Sequence, residues 1–323
     1  MSLFDTLPNE ILQLILSKVV PNNLKYNLVS KRFDENIKQI CVIKLKHTIS
    51  LDDIERLSKI YKVSVDLSYQ KITDSDLHKL RNVHTLNLCG TKVVNVSALG
   101  NVHTLILCKT KVVNVSALGN VHTLNLSYTN VSDVSALGNV HTLNLSYTKV
   151  TDVLALGNVQ SRPAVGLDTG ERQLHTLYLC GTKVVNVSAL GNVHTLNLSY
   201  TNVSDVSALG NVHTLFLCGT KVIDVSMLGG VHSLYLNLTK VIDVSALGNV
   251  HTLDLSETNV TDVSALGNVH TLILCETKVK DVSALRNVHT LDLDETNVTD
   301  VSALGNVHKL YINGIIVRNI FFN

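Results

Sequence analysis

Asn-Val-His-Thr-Leu begins at Asn82 and returns at Asn101, Asn120, Asn139, Asn192, Asn211, Asn249, Asn268 and Asn287. Near-copies start at Gln173 and Gly230, and a truncated one at Asn306. Successive starts lie 19 residues apart, except for one step of 34 between Asn139 and Gln173. A short fixed period confines the chain to architectures in which each unit packs on its two neighbours. One such unit buries too little apolar surface to offset the entropy of ordering its backbone, so the units fold only as a stack.

Within one copy, Val83-His-Thr-Leu-Asn-Leu-Cys-Gly-Thr-Lys-Val93, the apolar spacing is LxxLxLxxTxV. Leu86 and Leu88 alternate with Thr85, Asn87 and Cys89, which predicts a short strand. Each strand is separated from the next by a complete return path, so neighbours must run parallel. Val93, Val96 and Leu99 supply further inward positions, and the return has room for one helical or 3₁₀ turn around Asn95 to Ala98. Gly100-Asn101 permits the turn back. Aromatics make up 4 % of the chain and Trp is absent, so the core is built from Leu, Val and Ala. This unit resembles the leucine-rich repeat, with Thr where the usual pattern has Asn. The resemblance implies a right-handed solenoid with a parallel β-sheet on its concave face. Val63-Ser-Val-Asp-Leu67, with Ile72 and Leu77, reads as a degenerate first coil. Leu310, Ile312, Val317, Ile320, Phe321 and Phe322 read as a half coil closing the stack. Residues 158–172 carry Pro163, Gly166 and Gly170 and fit no repeat; they form either a lateral loop or a decayed coil.

The first 45 residues follow another rule. Apolar residues at 11, 12, 15, 16 and 19 predict an amphipathic helix with Pro8 in its first turn. Asn22 or Asn23 can cap a second helix carrying Leu24 and Leu28. A helical module this small and apolar invites a partner. With its Leu7-Pro8-Asn9-Glu10-Ile11-Leu12 start and Val29-Ser30-Lys31-Arg32-Phe33 end, the segment resembles the F-box. By that resemblance Leu7, Pro8, Ile11, Leu12, Ile15, Leu16 and Val29 dock on a Skp1-type adaptor or support the docking helices. The adaptor would join the chain to a cullin, while the repeats capture a substrate. The segment departs from the family pattern in being one residue short between Pro21 and Val29, and in carrying Phe33 where Trp is commoner. The near-identical short coils also resemble F-box/repeat proteins of amoebal hosts and their giant DNA viruses. Between the modules Cys41 to Lys46 alternates like a strand, and in the junction of residues 46–81 Ser50 caps a helix containing Ile54 and Leu57. The organisation expected is thus α+β: a helical module (1–45), junction and degenerate coil (46–81), repeats (82–157), insertion (158–172), and repeats with a terminal cap (173–323).

Several columns tempt a chemical reading. Twelve histidines, His84 to His308, share one repeat position; metal binding is the sharp reading, yet the flanking residues are Val and Thr in nearly every copy, with no Cys or carboxylate converging, and a surface residue at the start of each strand is the better one. Cys89, Cys108, Cys180, Cys218 and Cys275 share another column with Ser127, Ser146, Ser199 and Ser256. That exchange argues against a required disulfide or metal and for small-residue variation. The Thr column (Thr91, Thr110, Thr129 onward) is expected to bond turn backbone. Asn-x-Ser/Thr sequons recur from Asn95 to Asn297 as a by-product of the repeat. No nucleophile–base pair or phosphate loop stands apart from the repeat, so the chain reads as a non-enzyme without cofactor.

Function is sought where copied coils differ. Tyr178, Phe216, Tyr235 and Tyr311 replace Asn87, and Tyr128, Tyr147 and Tyr200 replace Gly90, all on or just past the outward strand face. Farther along, that surface turns acidic. The expected substrate site comprises Tyr178, Tyr200, Phe216, Tyr235, Leu238, Asp254, Glu257, Glu276, Asp292, Asp294 and Glu295. Lys+Arg 27 nearly cancels Asp+Glu 26, which offers no bulk positive field for nucleic acid. No apolar run reaches the ~18–20 residues of a membrane span. Asp5 and Glu10 occupy the place of a positive signal region. The expectation is therefore a cytoplasmic, monomeric substrate receptor of a Skp1–cullin–F-box ubiquitin ligase, located in host cytoplasm if viral. A plain interaction scaffold is the competing expectation, and a secreted adhesion protein with internalin-like repeats is the third.

Overall fold

Copies of the repeat become coils, each with a three-residue strand, a tight turn and a return that in most coils contains one 3₁₀ turn. The computed structural model describes residues 42–45, 49–157 and 174–318; the segment resembling the F-box, residues 158–172 and Ile320, Phe321 and Phe322 lie outside them. The chain divides into two compact units, residues 1–131 and 132–323.

In the first unit, β1 (Val42–Leu45) pairs in parallel with β2 (Lys62–Asp66). Between them runs α1 (Leu51–Ser58), whose N-cap Ser50 accepts the Asp53 amide, as the Ser-x-x-Asp spacing predicts. β3 (Thr85–Asn87), β4 (Thr104–Ile106) and β5 (Thr123–Asn125) continue the parallel order. Val63, Val65, Leu67, Ile72 and Leu77 of the degenerate first coil are all buried.

The second unit begins at β6 (Thr142–Asn144) and runs through β7 (Thr176–Tyr178), β8 (Thr195–Asn197), β9 (Thr214–Phe216), β10 (Ser233–Tyr235), β11 (Thr252–Asp254), β12 (Thr271–Ile273), β13 (Thr290–Asp292) and β14 (Lys309–Ile312). β6 pairs directly with β7, Thr142 opposite Thr176.

The end of the stack differs from expectation. β15 (Ile315–Arg318) turns back antiparallel on β14 in place of a half coil, and Val317, expected inside, is 46 % exposed beside Ile315 and Ile316. Asn313-Gly314, both at positive φ, make the reversal; this is the residue pair that hairpin turns favour.

Six apolar positions per coil fill the interior: Leu86, Leu88, Val93, Val96, Leu99 and Val102 are at most 1 % exposed. The Thr column bonds as expected, with the buried Thr91 Oγ1 donating to the Leu88 carbonyl at 2.7 Å and Thr258 to Leu255 at 2.6 Å. The return makes one 3₁₀ turn, Ser97–Leu99 in the first full coil.

Gly100 is required for a reason other than turning. Its φ is −62°, open to any residue, but a Cβ there would lie 2.3 Å from the Ala117 carbonyl oxygen of the next coil. Gly191 meets the Ala208 oxygen at the same distance. Gly191→Ala is therefore expected to lower stability by about 1–3 kcal/mol through overpacking against backbone, read as a lower urea midpoint with unchanged m-value. An unchanged midpoint would show that the coil spacing gives way freely.

Candidate functional site

Along one row of the second unit, backbone register aligns Tyr178, Asn197, Phe216, Tyr235, Asp254, Ile273, Asp292 and Tyr311 on successive strands. Where this position is Asn or Asp, its Oδ1 accepts the amide two residues on: Asn197 from Ser199 at 2.9 Å, Asp254 from Ser256 at 2.9 Å, Asp292 from Asp294 at 3.0 Å. The repeat residue thus closes a side-chain turn at the strand end. An aromatic there gives up that bond and leaves a ring on the outer face.

Phe216 and Tyr235 stack with centroids 4.4 Å apart and planes 8° from parallel, forming a half-buried apolar ledge. Tyr178 shares the row but stands two strands from Phe216, with Asn197 between.

Tyr200 and Leu238, grouped with these from sequence, occupy a different place. They lie past the strand at φ 57° and 61°, a left-handed site also filled by Tyr147, Glu257, Glu276 and Glu295. Sequence reasoning missed that this position is left-handed in every coil; the recurrence of Gly there was the available signal. The Tyr200 ring covers Gly219, and Tyr147 covers Gly181, so closely that a Cβ would sit 2.8 and 2.5 Å from ring carbons. In the first unit Tyr69 covers Gly90 in the same way, and Lys109 Nζ stands 5.7 Å from the Tyr128 ring centroid. These tyrosines are exposed yet also serve as lids on the neighbouring coil.

The acidic residues divide similarly. Asp254 Oδ1 takes both the amide and, at 2.6 Å, the hydroxyl of Ser256, and Asp294 Oδ1 accepts the Gly314 amide at 2.9 Å. Glu257, Glu276 and Glu295 are exposed. Among the described residues, ion pairs involve residues 52–79 and none of these carboxylates. Beside them, burial and then Asp292 push the Cys275 thiol up to about 12. Burial also raises Cys218, whose Sγ donates to Asn237 Oδ1 at 2.6 Å. Neither is a thiolate nucleophile at neutral pH.

In the first unit Cys89 and Cys108 are joined by a disulfide across adjacent coils, Cα atoms 4.6 Å apart. This corrects the reading of the column as small-residue variation alone: where two consecutive coils both carry Cys, strand spacing brings the sulfurs together.

The histidines form the expected columns, His84 to His122 in the first unit and His141 to His308 in the second. Adjacent rings stack at 4.4 to 5.1 Å. A metal lies in the plane of each imidazole that binds it, and near-parallel stacked planes do not converge on one ion. Among the described residues no cluster of three or more His, Cys, Asp or Glu could hold a metal. Burial first, then neighbouring imidazoles, lowers the pKa of His213 and His251. A cation whose pKa is depressed on folding binds more protons unfolded, so its stability contribution is complete above ~6.5 and is lost as pH falls through the folded pKa. The melting temperature is expected to be flat from pH 8 to 7 and to fall between 6.5 and 5; a flat profile to pH 5 would show the column uncoupled.

The proposed adaptor-docking residues Leu7, Pro8, Ile11, Leu12, Ile15, Leu16 and Val29 lie outside the described residues. No helix among those described is long and apolar enough to cross a membrane.

No protein-family description matches the chain, and no curated protein does. Solved structures do. An internalin (inlF) from Listeria monocytogenes superposes with TM-score 0.66 at 20 % identity over 94 % of each chain. A leucine-rich-repeat protein of Leptospira interrogans gives 0.58 at 20 %, over 81 % of this chain and 80 % of that one. The functional domain of InlJ from Listeria monocytogenes, which includes a cysteine ladder, gives 0.53 at 20 %, over 79 % and 67 %. At such identities the likeness is one of fold, and the fold is the leucine-rich repeat.

Proposed function

We propose that this chain is a non-catalytic receptor that captures a protein on the outer sheet face of residues 174–318 and presents it, through its F-box-like N-terminus, to a Skp1-type adaptor and a cullin in the cytoplasm. The observation that carries the capture half is the Phe216–Tyr235 stack. Two coils abandon the strand-end hydrogen bond to set a stacked apolar ledge on the sheet face, next to carboxylates that pair with no cation among the described residues. Large rings held by packing, with few rotamers to lose, are what interface anchors require. The recruitment half rests on the resemblance of residues 7–33 to the F-box. A pull-down with the full chain from a eukaryotic lysate tests both: recovery of an adaptor and a cullin supports the ligase reading, whereas a partner without either leaves an interaction scaffold.

A second reading has its own observation. The Cys89–Cys108 disulfide suits an oxidising compartment, since cytosolic thiols are kept reduced; with it, the recurrent sequons would make this an extracellular binding protein. Thiol labelling of protein taken from its native source separates the two, the cytoplasmic reading requiring both cysteines reduced.

A further inference from the structure

The histidine column of the second unit is not used by the receptor reading. Nine imidazoles, His141 to His308, follow one another on successive coils with ring centroids 4.4 to 5.1 Å apart. From His175 onward all are exposed. From His175 to His289 each Nδ1 lies 3.1–3.3 Å from the hydroxyl of the following Thr or Ser, as in His175–Thr176 and His232–Ser233, which turns the Nε2 edge of these exposed rings outward for a ligand.

The surroundings of the column are unusual in charge. The stretch from the 3₁₀ turn to the strand, Ser207 to Thr214 for example, contains no Asp or Glu in any coil from Ser188 to Lys309, and it gains Arg286 and Lys309. The charges reaching His213 are His194 and His232; those reaching His251 are His270 and His232; those reaching His289 are His270, His308 and Lys309. No carboxylate is among them. Asp205, ahead of His213, is tied to the Ser207 amide of the 3₁₀ turn and held ionised by it; Asp254 and Asp292, three residues past His251 and His289, are engaged at the strand end by the amides of Ser256 and Asp294. In the first unit the corresponding rim borders a hollow of about 260 Å³ lined by Lys59, Lys62, His84 and His103 and by no carboxylate.

We infer that the histidine rim from His175 to His308 is a proton-gated binding site for linear oxyanion polymers, chains of phosphate or sulfate. An imidazole charges only in mildly acid solution, and in a row this closely spaced each added proton is opposed by its neighbours; a chain of anions laid along the rim relieves that repulsion at every step. Proton uptake and polymer binding therefore promote one another. Seven steps of about 4.8 Å give a row of roughly 34 Å, long enough for many weak contacts to add through one tether. A single anion gains only one screened contact.

The test measures binding of fluorescent inorganic polyphosphate and, separately, dextran sulfate to the full chain at pH 7.5 and 5.5 in 0.15 M salt, with circular dichroism confirming the fold at both. At least tenfold tighter binding at pH 5.5 is expected, with orthophosphate at equal charge failing to compete; whichever polymer binds tighter assigns the source. His213→Gln/His232→Gln/His251→Gln/His270→Gln should remove the pH-dependent gain. Should that variant unfold, Asn211→Asp/Asn249→Asp leaves the column intact and sets carboxylates at exposed rim positions, and should weaken binding at pH 5.5 at least threefold. Equal affinity at the two pH values, or a gain that survives both sets of substitutions, would overturn the inference.

Discussion

Alanine at both Phe216 and Tyr235 raises the dissociation rate of a captured protein on the order of 30- to 10³-fold. The figure follows from about 2–4 kcal/mol for a stacked pair of anchors, taken as one cluster because neighbouring anchors do not add. Asp292→Asn/Asp294→Asn should behave differently. Each asparagine keeps the Oδ1 that accepts the Asp294 or Gly314 amide, so the fold is retained while the field is removed. Rim charges contribute ~1 kcal/mol or less and act on association. The acidic pair should therefore slow association at low salt and have little effect at high salt, while the aromatic pair shortens the complex lifetime at both. Both variants should melt near wild type, since neither removes a residue from the Leu/Val interior. If both bind as wild type does, the sheet face is not the receptor surface and residues 158–172 become the better candidate.

The second large effect is on recruitment. Pro8→Ala with Ile11→Asp should abolish adaptor binding, because a carboxylate set into an apolar helix interface loses solvation and gains no partner. The coils bury one another, so circular dichroism and melting of the repeats should not change. A wild-type chain that never binds a Skp1-type adaptor at micromolar concentration would remove the ligase reading and leave the scaffold.

Much of the fold could be read from the sequence because the repeat averages over local ambiguity. Leu86 and Leu88 alternate as a strand residue does, and twelve copies of one pattern fix parallel register before any contact is known. Ser50 and Asp53 mark the start of α1 by side-chain chemistry alone. What escaped the sequence depends on neighbours across coils. Gly100 looks like a turn residue until the Ala117 oxygen is placed against it. Tyr200 looks like a free anchor until Gly219 is found beneath its ring. Asp254 and Asn197 share a column whose hydrogen bond shows only in the backbone that follows. The Cys–Ser exchange hid a disulfide because exchange averaged over a column says nothing of the one place where two cysteines are consecutive. Beyond Ile312 the repeat stops, and with it the averaging; there the expected half coil became a hairpin.

The receptor surface can be tested most directly by position. A photoreactive aromatic in place of Tyr235, on the sheet face, is compared with one in place of Thr261, an exposed residue past the strand turn of the following coil, each in the full chain. Crosslinking of one protein from position 235 but not 261, lost on Phe216→Ala, is the predicted result. Crosslinking from 261, or from 235 regardless of Phe216, would contradict the account.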